Sequence, residues 1–177
     1  MASTIYIREL MNIFAGDTGE DRSKHLTLES LKLPGLEEAT AEHKPGGGIG
    51  SIEIGSLGLK ALTVSFKLKG SDPQTMSLFG INGRVAMPYT IYGVVRDKQT
   101  GAAIELKAVV YGRLTKLEPS EFKRGDLDDQ DHEIKEISHY EVYWDKKEKF
   151  FYDFYSSTWR VDGTDQFATE KAILRIA

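Results

Sequence analysis

The feature that most constrains the fold is a strict alternation of apolar and polar residues in ALTVSFKL, residues 61 to 68. Successive side chains of a β-strand point to opposite faces, so this pattern predicts a strand buried on one face. The residues of the apolar face are Leu62, Val64, Phe66 and Leu68.

Two longer stretches predict long β-hairpins. In residues 88–117, PYTIYGVVR and AAIELKAVVYGRLTKL flank the turn DKQTG, whose Gly101 can adopt a positive φ. In residues 132–161, HEIKEISHYEVYW and FFYDFYSSTWRV flank DKKEK, a polar turn without glycine. Nine aromatic residues between Tyr140 and Trp159 are expected to fill the core and to form cross-strand pairs. The chain is therefore predicted to be mainly β.

Helix signals are few. Asp72 as N-cap and Pro73 at the first helical position predict a short helix in SDPQTMSLFGI. A second helix is predicted over residues 164–174, capped by Thr164 or Asp165. At 177 residues the chain has the length of one domain, 1–177, and the segment before the glycine-rich stretch is interpreted as a polar lead-in.

Composition excludes several classes of protein. The chain has no cysteine, which rules out disulfides and thiolate metal sites, and its net charge of −4 is unlike that of a nucleic-acid binder. Arg8 and Glu9 interrupt the apolar part of the N-terminus, which does not fit a signal peptide. No run approaches the roughly 20 apolar residues of a membrane span. We expect a soluble protein without membrane insertion, made and kept in the cytoplasm of its producing cell.

The glycine-rich stretch EHKPGGGIGS, residues 42 to 51, resembles a phosphate-binding loop only superficially. Lys44 precedes the glycines, whereas a P-loop lysine follows them, and Ser51 stands where GxGxxG needs its third glycine. No strong helix signal follows to offer its N-terminus to an anion. We therefore predict no phosphate or nucleotide site here.

No other pattern predicts chemistry. The four histidines are scattered and are expected at the surface, and His132 and His139 should lie on opposite faces of one strand. The acidic run from Asp126 to Glu133 lacks the glycine and the final glutamate of a calcium loop, and no serine lies in a GxSxG elbow. The sequence predicts no catalytic residue, no metal, no cofactor and no enzyme activity.

The order and spacing of four segments carry a family resemblance. They are LTLESLKLPGLEEATAEHKPGGGIGS, GLKALTVSFKLKG, GVVRDKQTGAAIELKAVVYGRLTKLEPSEFKRGD and YEVYWDKKEKFFYDFYSSTWRVDGTDQF, which together cover most of the chain from Leu26 to Phe167. In these segments the chain resembles the major tail tube proteins of contractile-tailed bacteriophages and of phage-tail-like bacteriocins. One departure is the turn DKKEK, where tube proteins often carry Asp-Gly.

The resemblance implies a β-sandwich or half-open barrel with long hairpins and one or two short helices. It implies hexameric rings that stack into a tube inside a contractile sheath, in a virion tail or a tail-like particle. The implied partners are further copies of the chain and the sheath, tape-measure, baseplate and tail terminator proteins. DNA would pass through the lumen without specific binding in a phage, whereas a bacteriocin tube would puncture the target cell.

This assembly is physically reasonable for the sequence. The edges of the long hairpins offer unpaired backbone groups that a neighbouring copy could complete, and a closed ring removes such edges. The mild acidity would keep a pore from retaining DNA. Candidate lumen residues are one face of 105 to 109, with Glu105, Lys107 and Val109, or one face of 89 to 96.

Residues 44–60 are predicted to be an assembly loop. Glycine is costly to order, and the apolar residues of this stretch would need a neighbour to cover them. The expected contact residues are Gly46, Gly47, Gly48, Ile49, Ile52, Ile54, Leu57 and Leu59. Two alternatives stay open at this point: a tube protein of a type VI secretion system, and a monomeric β-barrel that binds a small ligand.

Overall fold

The computed structural model describes residues 4–16, 22–81 and 85–176. These residues form eleven strands and two short helices. Their bounds are β1 (Tyr6–Ala15), β2 (Leu28–Lys32), β3 (Ala41–His43), β4 (Ile52–Ile54), β5 (Val64–Lys69), α1 (Pro73–Met76), β6 (Met87–Asp97), β7 (Ala103–Pro119), β8 (Asp129–Trp144), β9 (Lys147–Asp153), β10 (Thr158–Val161), β11 (Thr164–Asp165) and α2 (Ala168–Leu174).

The strands form one large antiparallel sheet, apart from β3 and β4, which pair with each other. The sheet order is β1-β6-β7-β8-β9-β10-β11, and β5 joins the first half of β8 and carries β2 on its far side. Between β1 and the segment before β2 there is an isolated bridge, Phe14 to Ser23, and no ladder closes the barrel among the described residues. The predicted mainly-β fold is confirmed, as a half-open barrel with two short helices.

The core lies between the inward faces of β1, β5, β6, β7 and β8. Leu62 and the β5 residues Val64, Phe66 and Leu68 are buried, which confirms the strand predicted from their alternation. On β7, Leu106, Ala108 and Val110 are also buried. A period of two residues therefore identifies the core face on both strands.

The first long hairpin consists of β6 and β7 joined by the predicted turn, in which Gly101 has φ +75. The Asp97 carboxylate organises this turn, because it accepts hydrogen bonds from the hydroxyl of Thr4, the backbone N–H of Gln99 at 2.8 Å and the hydroxyl of Thr100 at 2.8 Å. These three bonds, of which the one from Thr4 has the largest effect, lower the pKa of the Asp97 carboxyl to about 2.

The second predicted hairpin, 132–161, differs from the prediction because it contains three strands. The turn between β8 and β9 is two residues long, and Asp145 and Lys146 adopt φ values of +50 and +63 without a glycine. The segment predicted as one strand from 150 to 161 breaks after Asp153, whose carboxylate accepts the backbone N–H of Ser156 at 2.8 Å. This side-chain bond favours a turn over continued strand.

The first helix begins where it was predicted to begin, whereas the second begins later. At α1, the Asp72 carboxylate accepts the backbone N–H of Gln74 and Pro73 occupies the first turn, as predicted. The second helix starts later than predicted, because Thr164 and Asp165 pair with β10 as β11, and Asp165 accepts the backbone N–H of Phe167 at 2.9 Å. The helix α2 then begins at Ala168.

The prediction that the histidines lie at the surface is wrong for His132. Its side chain is 1% exposed and its ring stacks on Phe66, with centroids 4.6 Å apart and planes 4° apart. Neither ring nitrogen has a hydrogen-bond partner among the described residues. His139 does lie on the opposite, outward face of β8, as expected.

Burial lowers the pKa of His132 below its ordinary value of 6.5. Below pH 6.5 the unfolded chain then binds a proton that the folded chain does not, so stability is full above that pH and falls as the pH drops. Between about pH 7 and about pH 5.5 we therefore expect a loss in the free energy of unfolding.

Urea unfolding at the two pH values measures this loss, and His132→Leu should abolish it, while His43→Leu at an exposed site should leave it unchanged. A loss of equal size in wild type and His132→Leu would show that another group titrates.

Candidate assembly surfaces

Strand β1 presents an open edge that the sequence reasoning missed. It pairs with β6 from Tyr6 to Ala15. On its other side, the described residues form one isolated β-bridge, between Phe14 and Ser23. The first half of this strand and the residue before it expose four apolar side chains beside the charged Arg8 and Glu9: Ile5 68%, Tyr6 49%, Ile7 43% and Leu10 67%. The interpretation of the N-terminal segment as a polar lead-in is thus wrong for residues 5–15. The apolar residues Ile5, Ile7, Ile13 and Ala15 were the available signal for a strand.

The two long hairpins supply only part of the open edges expected of them. Strands β6 and β8 pair on both sides, and so does β7 from Ala103 to Gly112. Residues 113–119 of β7 pair only with β8, so within the described chain their other side is an open edge of the first hairpin. The remaining sheet edges belong to β1, β2 and β11, because β10 pairs with both β9 and β11.

A second surface is an arm formed by residues 37–60. Its base is held by two backbone bonds, from Ala39 N–H to Gly58 O at 2.8 Å and from Lys60 N–H to Glu37 O at 2.9 Å. Further out, β3 and β4 form a ribbon whose six residues are all exposed. The arm therefore extends from the barrel with little of its own core.

The glycines of the predicted assembly loop lie at the tip of this arm. Gly46 and Gly47 have open space around the position of a Cβ atom, and neither has a positive φ. The run leads into strand β4 instead of a helix. The fold of a single copy therefore does not explain why glycine occupies these two positions.

The apolar residues of the predicted loop separate into two groups. Leu59 is half-buried and packs against the core. The others are exposed, with values of 111% for Ile49, 63% for Ile52, 50% for Ile54 and 57% for Leu57. Four of the five apolar side chains therefore lie where another molecule could cover them.

The outward face of the central sheet carries the candidate lumen residues. Glu105 is exposed, and Lys107 and Val109 are half-buried beside it on β7. The ammonium of Lys107 lies 5.9 Å from the ring centroid of Tyr92 and 5.7 Å from that of Tyr143, both within cation–π distance. All these side chains share one face of the sheet.

Most other charges on this face are paired. Arg160 donates two bonds to Glu148, at 3.0 and 2.7 Å, and lies 3.6 Å above the ring of Phe151. These bonds lower the pKa of Glu148 and raise that of Arg160. His139 lies between two carboxylates, with Nδ1 3.0 Å from Asp153 and Nε2 2.8 Å from Glu141. The face is therefore polar, and the guanidinium of Arg160 on it is already paired with a carboxylate.

The comparison with protein families decides between the classes considered so far. The phage tail tube protein FII family matches residues 18–174 of the chain. The chain belongs to this tail tube protein family. The resemblance noted in the sequence is thereby confirmed, and the tube family is one of structural proteins.

Solved structures with similar folds come from contractile injection systems. A chain of the PVC sheath–tube complex in its extended state is 12% identical with a TM-score of 0.51, and the match covers 76% of this chain and 87% of that one. A chain of the PVC sheath/tube terminator is 14% identical with a TM-score of 0.50, covering 76% and 92%. A chain of the anti-feeding prophage cap is 13% identical with a TM-score of 0.51, covering 75% and 87%. At these identities the likeness shows a shared fold, and a search of curated protein sequences finds no significant match.

No site for chemistry stands out in the part of this tube protein that the structure describes. An open cleft of about 490 Å³ lies on the outward face around His139, whose ring nitrogens already contact Glu141 and Asp153. The described residues contain no group of three or more histidine, aspartate or glutamate side chains placed to hold a metal. Among them, no helix has the length and apolarity to cross a membrane.

Proposed function

We propose that this chain is the repeating subunit of the inner tube of a contractile injection system, with six copies in each ring and rings stacked end to end. The observation that carries the proposal is the open edge of β1 in a member of the tail tube family. An unpaired strand edge with exposed apolar side chains invites pairing with another chain, and ring closure satisfies every edge.

In the proposed assembly, the tube would contact several other components of the particle. A contractile sheath would surround the rings, a terminator would end them, and tape-measure and baseplate proteins would set the length and the base. The sheath–tube and terminator assemblies of the similar structures support the first two of these partners. The subunits would be made in the cytoplasm of the producing bacterium and would function in a virion tail or a tail-like particle.

We further propose that the outward face of the central sheet lines the lumen. Its cations are mostly committed to neighbouring carboxylates, as Arg160 is to Glu148, and Lys107 lies between two tyrosine rings. A phosphate backbone passing through such a pore would meet few free cations, so it would not be retained. Such a lumen would let DNA pass in a phage. It would equally serve a bacteriocin, whose tube carries no DNA.

The edge proposal predicts a loss of assembly without a loss of folding. Lysine at an exposed strand edge opposes pairing, so Ile7→Lys combined with Leu10→Lys should abolish tubes on electron micrographs. Both side chains are exposed, so the free energy of unfolding should change by only about 0.5 kcal/mol per substitution.

Leu10→Val is the matched control, because it keeps an apolar strand-forming residue at the edge and should form tubes. Thermal melting of all variants separates assembly from folding. Normal tubes of the double lysine variant, or a wild type that is monomeric at high concentration, would contradict the proposal.

A further inference from the structure

Residues 113–119 of β7 form an open edge that differs chemically from the edge of β1. They pair with β8 alone, whereas the earlier residues of the strand pair with both β6 and β8. The free side of such a strand presents unpaired backbone N–H and C=O groups, which makes it a template for another chain. A free copy therefore needs some means of keeping this edge from pairing.

The last residue of this edge lacks the hydrogen-bond donor that a new strand would need. The backbone N–H of Ser120 bonds to the backbone oxygen of Asp129 on the β8 side, at 2.8 Å. Because the N–H groups of successive strand residues point to opposite sides, the nitrogen at position 119 faces the open side. That position is an exposed proline, which has no N–H, and sheets confine proline to such edge positions. A strand arriving here could not complete its ladder.

A lysine and a glutamate cover the middle of the same edge. Lys116 Nζ lies 2.6 Å from Glu118 Oε2, and the two side chains are 41% and 62% exposed. The bond from Glu118 is the main cause that raises the pKa of Lys116, so the ammonium is charged at neutral pH. Charged side chains, and lysine above all, oppose edge pairing, because an incoming strand would have to displace their water.

Irregular register also distorts this half of β7. The pairing with β8 shifts between Tyr111 and Arg113 and again between Leu114 and Lys116. Bulges of this kind bend a strand and increase its twist, so a straight partner strand loses its alignment. At the near end, the guanidinium of Arg113 also donates a 3.2 Å bond to the backbone oxygen of Gly80, in the loop after α1. The edge is thus bent as well as charged and short of one donor.

The edge of β1 is less protected. It also has a register shift and the charged residues Arg8 and Glu9. However, Glu9 is held by Arg96 and Lys98 of the neighbouring hairpin, at 3.1 and 2.6 Å. The strand contains no proline, and three of its apolar side chains are exposed, namely Tyr6, Ile7 and Leu10. The two edges therefore differ in how strongly each discourages pairing.

We propose that Lys116 and Pro119 keep free copies of the chain from pairing through the open edge of β7. Association is then left to the other edges, among which β1 exposes the most apolar side chains. Head-to-tail pairing that does not close into a ring gives fibres, so blocking one edge protects a subunit that has not yet joined a particle. The inference goes beyond the proposed tube, because it concerns the free subunit and would hold for any assembly.

The test removes both residues from a chain whose β1 edge is blocked by Ile7→Lys and Leu10→Lys. In that background, Lys116→Val with Pro119→Val should lower the concentration at which the chain sediments by about tenfold. One restored ladder bond and one lost charge are together worth about that change in an association constant. The matched control is Lys67→Val, because Lys67 is similarly exposed, at 34%, on β5, which pairs with β2 and β8 on its two sides. Lys116→Arg keeps the charge and should sediment like the background.

Amide hydrogen exchange locates the contact. The N–H that Pro119→Val introduces faces the open side, so in the soluble variant it should exchange as an unprotected amide. In the sedimented material it should be protected, because it then bonds to another copy. A sediment in which this N–H stays unprotected would mean that the copies associate elsewhere and would overturn the inference.

Further variants separate pairing from misfolding. Lys116→Val and Pro119→Val are also made singly, so that if one of them fails to melt cooperatively the other still decides. Folded variants that stay as soluble as Lys67→Val would overturn the inference. Electron microscopy distinguishes tubes from the irregular sheets or fibres expected of β7 pairing, so the presence or absence of tubes bears on the proposed function alone.

Discussion

Gly112→Val is expected to destabilise the folded chain by about 3 kcal/mol, as overpacking of a dense core does. A Cβ atom at Gly112 would lie 2.7 Å from Ile134 Cγ2, 2.9 Å from the backbone oxygen of Lys135 and 3.1 Å from Ile137 Cγ1. A side-chain methyl group can rotate away, but the carbonyl belongs to strand β8 and cannot move without disturbing the ladder. The register of β7 against β8 is irregular at this point, and Glu136 adopts φ +50.

The same substitution at Gly47 is the matched control for Gly112→Val. Gly47 is exposed, and a Cβ atom there meets nothing within 4 Å. For a chain of this length a loss of 3 kcal/mol lowers the melting temperature by roughly 6–12 °C, whereas Gly47→Val should melt close to wild type. Urea unfolding and thermal melting provide the measurement, and equal melting of the two variants would contradict the close approach of β7 and β8.

Lys24→Met is expected to cost about 2–3 kcal/mol, somewhat less than the loss of one partner from a fully buried ion pair. Lys24 is 5% exposed, and its ammonium lies 2.6 Å from Asp72 Oδ2 and 3.2 Å from Gln74 Oε1. Burial raises the pKa of Asp72, but the bonds from Lys24 and Thr75 outweigh it and hold the pKa below its ordinary value. Methionine fills similar volume yet leaves this carboxylate without its cation.

The exposed pair of Lys60 and Glu37 supplies the control for Lys24→Met. The Lys60 ammonium lies 2.5 Å from Glu37 Oε1, but the side chains of Lys60 and Glu37 are 52% and 69% exposed. Because solvent screens such a pair, Lys60→Met should cost no more than about 1 kcal/mol. Denaturant unfolding at neutral pH compares the two. Similar losses in both variants would mean that the Lys24 pair contributes no more than a surface contact.

Much of the barrel could be predicted from local pattern. Alternation in ALTVSFKL identified a buried face, because burial on one side of a pleated strand imposes a period of two. Asp72 and Pro73 identified the start of α1 through capping chemistry that acts within a few residues. The turn with Gly101 followed from the conformational freedom of glycine. The order of these segments was also sufficient to indicate the tail tube family, which the family match confirms.

The sequence alone could not identify which strands lie at the edge. A long hairpin has the same pattern whether it is central or terminal in a sheet. Here β6 is central because β1 returns from the N-terminus to pair with it, whereas residues 113–119 of β7 lie at an edge. The pattern of β1 was obscured by Arg8 and Glu9 and by the register shift between Arg8 and Leu10. The exposed edge is a property of sheet order, which depends on contacts distant in sequence.

What the sequence determined by itself was the set of strand faces, the first helix cap, the glycine turn and the family, all of which depend on short-range periodicity or on the order of segments. Tertiary structure alone decided that His132 is buried against Phe66, that Lys24 pairs with Asp72, and that Gly112 is closely packed against β8. It also decided which apolar residues of the arm are exposed and that Leu59 packs on the core. Burial depends on which distant segment covers a side chain, and the side chain's own neighbours in sequence do not contain that information.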